Sequence, residues 1–96
     1  MQSEMIAGRA ERITVARTRD ELLHMFRSTA TEVVEKDFHH VVEGTVISEL
    51  GIDSLGMLEI IGSMERELKI QIPDESLSGV ETIRDLLDVV EKRQAN

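Results

Sequence analysis

Apolar residues recur at Leu22, Phe26, Ala30 and Val33, at intervals of four, four and three. That spacing puts them on one face and predicts an amphipathic helix. Its start is written in Thr18-Arg19-Asp20-Glu21. Thr18 can cap the first turn and Glu21 can reach back, a capping box. The helix should fade near Lys36 or Asp37. A second helical pattern covers Ser54 to Leu68, with Asp53 as its cap. On a wheel of about 100° per residue centred on Met57, residues Ile60, Ile61, Met64 and Leu68 fall within about 60° and make a core stripe. Leu58 lies about 100° from that centre and Leu55 about 160°, with Gly62 between them and Glu59 and Glu65 flanking. A third helix opens at Thr82, where Asp85 completes a second capping box. Ile83, Leu86, Leu87 and Val90 form its inner face.

The segments between are also informative. Residues 38–52 hold Gly44 and Gly51 and keep no helical period, so they predict a long connection. Phe38, Val41, Val42, Val46, Ile47 and Leu50 can pin it to a core. Ile72-Pro73-Asp74 breaks the pattern after the second helix. A short helical turn at Asp74–Ser78, ended by Gly79, follows. Residues 1–17 show weak periodicity and read as a mobile extension or a marginal helical turn. They lack the continuous apolar stretch of a secretory signal, and Glu4 and Glu11 count against a transit peptide. No stretch alternates as a strand would. The expected fold is all-α: a small bundle of three long helices and one short one, with a long first loop, over residues 18–96.

Composition narrows the setting. The 96 residues suit one domain, and 41% are hydrophobic. Phe26 and Phe38 are the only aromatic residues, so the core must be aliphatic. Without cysteine there is no disulfide or thiolate metal site, and a cytoplasmic setting fits best. The apolar runs are too short to cross a membrane. The net charge of −8 would repel nucleic acid. That charge is uneven: residues 1–48 carry six basic and eight acidic side chains, and residues 49–96 five and eleven. Either the acidity merely keeps the surface solvated, or it attracts basic partner proteins.

The chemistry concentrates at Ser54. A serine in the first turn of a helix is commonplace. Asp53 already supplies the cap, however, so Ser54 is not needed for capping. Its hydroxyl sits beside orphan N–H groups and the positive end of the helix dipole, a good place for a phosphate. Hydrolase signatures fail there. Ile52 interrupts the Gly-Asp-Ser-Leu run, and it also stands where the nucleophile elbow G-x-S-x-G needs its first glycine. Nothing in the pattern brings His24, His39 or His40 to the serine, and the adjacent pair His39-His40 lacks metal-ligand spacing. Leu55 and Leu58, off the core stripe, are left with three readings: a helix wrapped on more sides, ordinary exposed leucines, or a contact for a partner.

The run "ELGIDSLGMLEIIGSMERELKIQIPDE", continued by "TIRDLLDVVE", resembles the acyl carrier protein family over about residues 18–92. The resemblance implies a right-handed four-helix fold. It also implies that Ser54 carries 4'-phosphopantetheine, installed from coenzyme A by a phosphopantetheinyl transferase, with Asp53 helping to present the serine. The arm's thiol would hold acyl chains as thioesters, making the chain a shuttle and not itself an enzyme. By the same resemblance Leu55, Leu58 and Glu59 match exposed partner-contact positions, and Glu65 an acidic one. Val46, Ile60 and Met64 match an acyl pocket, Leu68 a pocket or core position, and Leu50, Ile72, Ile83 and Val90 inward positions. Implied partners are the transferase and acyl-loading, synthase or ligase enzymes with basic patches, for a monomer that binds neither metal, nucleic acid nor membrane. Gly56, Gly62 and Arg66 depart from the common pattern, so fatty-acid, polyketide or another specialised pathway stay open. The alternatives are a carrier-like module that is never modified and, more distantly, a small hydrolase.

Overall fold

The computed structural model describes residues 17–95. Three α-helices order them: α1 (Arg19–Val34), α2 (Ser54–Leu68) and α3 (Ile83–Ala95). Short 3₁₀ turns at Ile47–Leu50 and Asp74–Leu77 interrupt the connections. The bundle is all-α, as the pattern predicts. Its short fourth helix is a single 3₁₀ turn, and the turn at Ile47–Leu50 adds to the expected elements. The extension expected over residues 1–17 lies outside the described residues except for Arg17.

Each helix begins where its cap dictates. Thr18 Oγ1 accepts from the Glu21 N–H at 3.2 Å, and Glu21 Oε1 accepts from the Thr18 N–H at 2.8 Å. This α1 box is worth about 1 kcal/mol. The helix ends earlier than expected because Glu35 turns left-handed, at φ 62°, and its N–H closes on the Thr31 carbonyl. At α3, Asp85 Oδ2 accepts from the N–H groups of Glu81 and Thr82, and Thr82 Oγ1 accepts from the Asp85 N–H. The hydrogen bonds from Glu81 and then Thr82 hold the Asp85 carboxyl below the ordinary carboxylate range. A depressed carboxylate stabilises the fold above its unfolded pKa, and that contribution disappears as pH falls through the folded value. Asp85→Ala is therefore expected to lower Tm at neutral pH, with the gap to the unaltered protein closing below about pH 4. Thermal melts across pH check this, and a gap that stayed constant into acid would refute it.

The core joins one face of each helix. Leu22, Phe26 and Ala30 of α1 meet Ile60, Ile61 and Met64 of α2 and Ile83, Leu86, Leu87 and Val90 of α3, all buried. Met57 and Leu68 are only partly buried, so the α2 stripe is narrower than the wheel implies, and Val33 of α1 is likewise only partly buried. Phe38, Val41 and Ile72 close the core from the connections. Val42 does not: it is 52% exposed, because the turn that bonds the Thr45 N–H to the Val42 carbonyl carries it outward.

The long connection is fastened to its neighbours. The Ile83 and Arg84 N–H groups donate to the Thr45 and Glu43 carbonyls, the Ile47 N–H donates to Glu81, and Val46 and Thr82 form an isolated antiparallel bridge. Arg27 Nε donates to the Val41 carbonyl at 2.7 Å. Arg19 grips both Glu43 oxygens at 3.1 Å and reaches Asp88 at 2.7 Å and Glu91 at 2.8 Å, joining loop, α1 and α3. At the start of α1, Gln94 accepts from the Arg17 N–H and donates to its carbonyl.

Candidate functional site

Ser54 is the first residue of α2 and is exposed. Asp53 caps the helix in extended conformation, its Oδ1 accepting from the Gly56 N–H at 2.7 Å. The Met57 N–H then takes the Asp53 carbonyl at 3.0 Å. Among the described residues the Ser54 and Leu55 N–H groups have no partner. An exposed hydroxyl thus stands beside two unsatisfied donors at the positive end of a 15-residue helix. A phosphodiester on that hydroxyl fits this arrangement, because its oxygens can accept from such donors.

The rest of the surroundings come from α1. Val33 and Val34 reach the loop Gly51–Asp53 and the first turn of α2 at Leu55, Gly56 and Glu59, enclosing a shallow depression of about 280 Å³ beside Ser54. The loop turns up into α2 through Gly51, at φ 74°, where a side chain would be strained. At Gly56 the constraint is crowding. A Cβ there would lie 2.9 Å from Ile52 Cγ2 and 3.1 Å from Asp53 Oδ1, the capping oxygen itself. Gly62 has no such constraint, since its Cβ would meet only Arg66 Nη1 at 3.6 Å. Gly62→Ala is therefore expected to stabilise by up to about 1 kcal/mol, a rise of about 4–8 °C in Tm. Gly56→Ala should gain less than this or lose stability, because the new methyl crowds the cap. Equal gains in urea midpoint would show that the cap yields freely.

The other residues singled out from sequence fall in distinct places. Leu55 is 65% exposed and Leu58 58%, and Glu59 is exposed beside them. Glu65 is not a free acid on this face. It is half-buried, and its Oε2 accepts from the Ile72 N–H at 2.7 Å, pinning the chain after α2. Arg93 holds the same segment through the Gln71 carbonyl at 2.8 Å. Sequence spacing could not reveal this, because the bond spans the left-handed turn at Lys69. Ile60 and Met64 are buried in the core, and Val46 is partly exposed on the connection. The structure thus places Val46 at an edge and the other two inside. The histidines are engaged away from Ser54: His24 with Ser28, His39 with Asp37, and His40 stacked on Phe38. Among the described residues no cluster of ligands could hold a metal ion, and no helix is long and apolar enough to cross a membrane.

Comparison with known proteins places this geometry in context. The family described as "Phosphopantetheine attachment site" matches residues 28–90. The acyl carrier protein of Clostridium perfringens is 41% identical over 49 residues, 51% of this chain and 64% of that protein. That of Syntrophobacter fumaroxidans is 34% identical over 53 residues, 55% of this chain and 65% of that protein. The chain thus matches just under two thirds of the length of these relatives. The crystal structure of the Thermotoga maritima acyl carrier protein superposes with a TM-score of 0.73 at 32% identity, covering 80% of this chain and 91% of that one. The solution structure of the acetyl actinorhodin acyl carrier protein from Streptomyces coelicolor gives 0.64 at 27% identity, covering 85% and 95%.

Proposed function

Because the chain belongs to the acyl carrier protein family, whose phosphopantetheine attachment domain covers residues 28–90, we propose that Ser54 is the attachment point and that the protein shuttles acyl groups as thioesters. The carrier domain takes in residues 18–96, acts as a cytoplasmic monomer, and serves enzymes of fatty-acid, polyketide or related specialised biosynthesis. The single observation that supports this best is the division of labour at the start of α2. Asp53 caps the helix, which leaves the Ser54 hydroxyl exposed and unengaged beside two donors. The arm, once attached, supplies the thiol that the chain itself lacks. Ser54 anchors the phosphodiester, the N–H groups of Ser54 and Leu55 receive its negative oxygens, and Asp53 keeps the turn in shape. Leu55, Leu58 and Glu59 give partner enzymes an apolar and acidic landing surface next to the anchor.

Intact-mass measurement after incubation with coenzyme A and a broad-specificity phosphopantetheinyl transferase tests the reading. One phosphopantetheine should be gained. No gain with several transferases would leave the unmodified interaction module as the better account. Glu59→Lys should slow loading at low ionic strength and matter little at high salt, since an exposed charge acts mainly on association rate. Glu65 does not belong in that test, because replacing it frees the Ile72 N–H.

A further inference from the structure

Below Leu58 the outer face of α2 opens into a trough of about 750 Å³, walled by Glu32 and Val33 of α1 and by Leu58, Glu59, Ser63 and Arg66 of α2. Gly62 forms its floor, where a missing side chain leaves space. Arg66 lies back along the helix, its Nη1 3.6 Å from the position a Gly62 Cβ would take. Among the described residues Arg66, Glu32 and Glu59 have no salt-bridge partner. Glu59 therefore stands unpaired at the Ser54 end of the trough, Glu32 stands unpaired across it on α1, and one guanidinium stands unpaired further along α2. Residues 59 and 66 are about 10.5 Å apart along the helix axis.

We propose that this trough is a charge-ordered seat for a protein partner, one that sets a cation beside Glu32 and Glu59 and a carboxylate against Arg66. A partner whose contact surface is basic throughout meets repulsion at Arg66, so this residue selects among partners instead of attracting all of them. The seat is continuous with Leu55 and Leu58, and it uses α1 as well as α2. Gly62 matters because it lets the partner's side chains settle between the two charges. The proposal rests on the carrier reading, which makes partner enzymes approach this helix.

Two measurements test it. The first is loading by a phosphopantetheinyl transferase chosen for a uniformly basic carrier-facing surface. Arg66→Glu should raise kcat/KM about threefold to tenfold at low salt, through KM. The gain should vanish at high salt. A charge reversal that loads no faster overturns the proposal. The second does not depend on modification: a tetra-arginine peptide is titrated while amide shifts are followed. The shifts should centre on Glu32, Glu59 and Gly62, and Arg66→Glu should bind the peptide at least about threefold tighter. Shifts that avoid these residues, or equal affinities, overturn it. So would shifts of the same amides on concentrating the protein alone, which would assign the trough to a second copy of the chain. If no variant is ever loaded, the carrier reading falls while the peptide titration still decides the seat.

Discussion

Ser54→Ala is expected to lose phosphopantetheine attachment completely while keeping the fold. The two halves of that result have separate causes. The only proposed acceptor oxygen is removed, so no phosphodiester can form on α2. The helix keeps its start, because the capping oxygen belongs to Asp53 and alanine is the best helix former. Circular dichroism and the thermal midpoint should match those of the unaltered protein, while intact mass shows no gain under conditions that fully load it. Asp53→Ala is the contrasting arm. It leaves the hydroxyl but exposes the Gly56 N–H, which should cost about 1 kcal/mol and loosen the turn that presents the serine. Loading should then slow without being abolished. Persistent modification of Ser54→Ala would move the attachment point elsewhere, and unfolding would make Ser54 a structural residue.

Met64→Ala should produce the largest loss of stability among the site residues and should also report on acyl shelter. Met64 is buried against Ile60 in the core, so truncation leaves a cavity costing about 2–5 kcal/mol. For a domain of this size that is a fall of about 10–30 °C in Tm, close to the whole stability of a small domain. If attached acyl chains are sheltered near Ile60, Met64 and Val46, a long chain should fill the space that the substitution creates. Acylated Met64→Ala should then regain several degrees over its unacylated form, more than acylation adds to the unaltered protein. Equal increments in both proteins would mean that the chain remains in solvent. Met64 is a fitting place for shelter, because its unbranched thioether can change rotamer where a branched side chain cannot.

The helices were legible because their information is local. Thr18, Asp53 and the Thr82–Asp85 pair are short-range signals, and each helix starts at the residue they mark. Periodicity also located the core. It separated Leu55 and Leu58 from the stripe correctly, since on a straight helix direction follows from residue number alone. What escaped the sequence depends on contacts between distant segments. The fixing of the long connection by Arg19 and Arg27 joins residues 14 to 24 positions apart, and Arg19 reaches 72 positions on to Glu91 of α3. Val42 looked like a core residue because hydrophobicity does not say which way a turn points. Glu65 looked like a surface acid because a wheel shows the side chain's direction but not the N–H waiting beyond the end of the helix. Gly56 and Gly62 are chemically identical in the sequence, and only the neighbouring Ile52 and Asp53 crowd the space that a side chain at the first one would take.

The clamp between Arg17 and Gln94 bears on how the domain can be tethered. It brings the first and nearly the last described residues together at the start of α1. Ser54 belongs to the opposite end of that helix, where Val34 approaches Gly56, about 24 Å away along 16 residues. A bead, a surface or a fused protein attached near either of those residues would hold the domain by one pole and leave the other free to swivel. Pulled between the same two points, the domain would be loaded as a zipper, with two hydrogen bonds yielding before any helix slides past another. It should therefore open at low force, and the serine pole should be the last part to feel the tension.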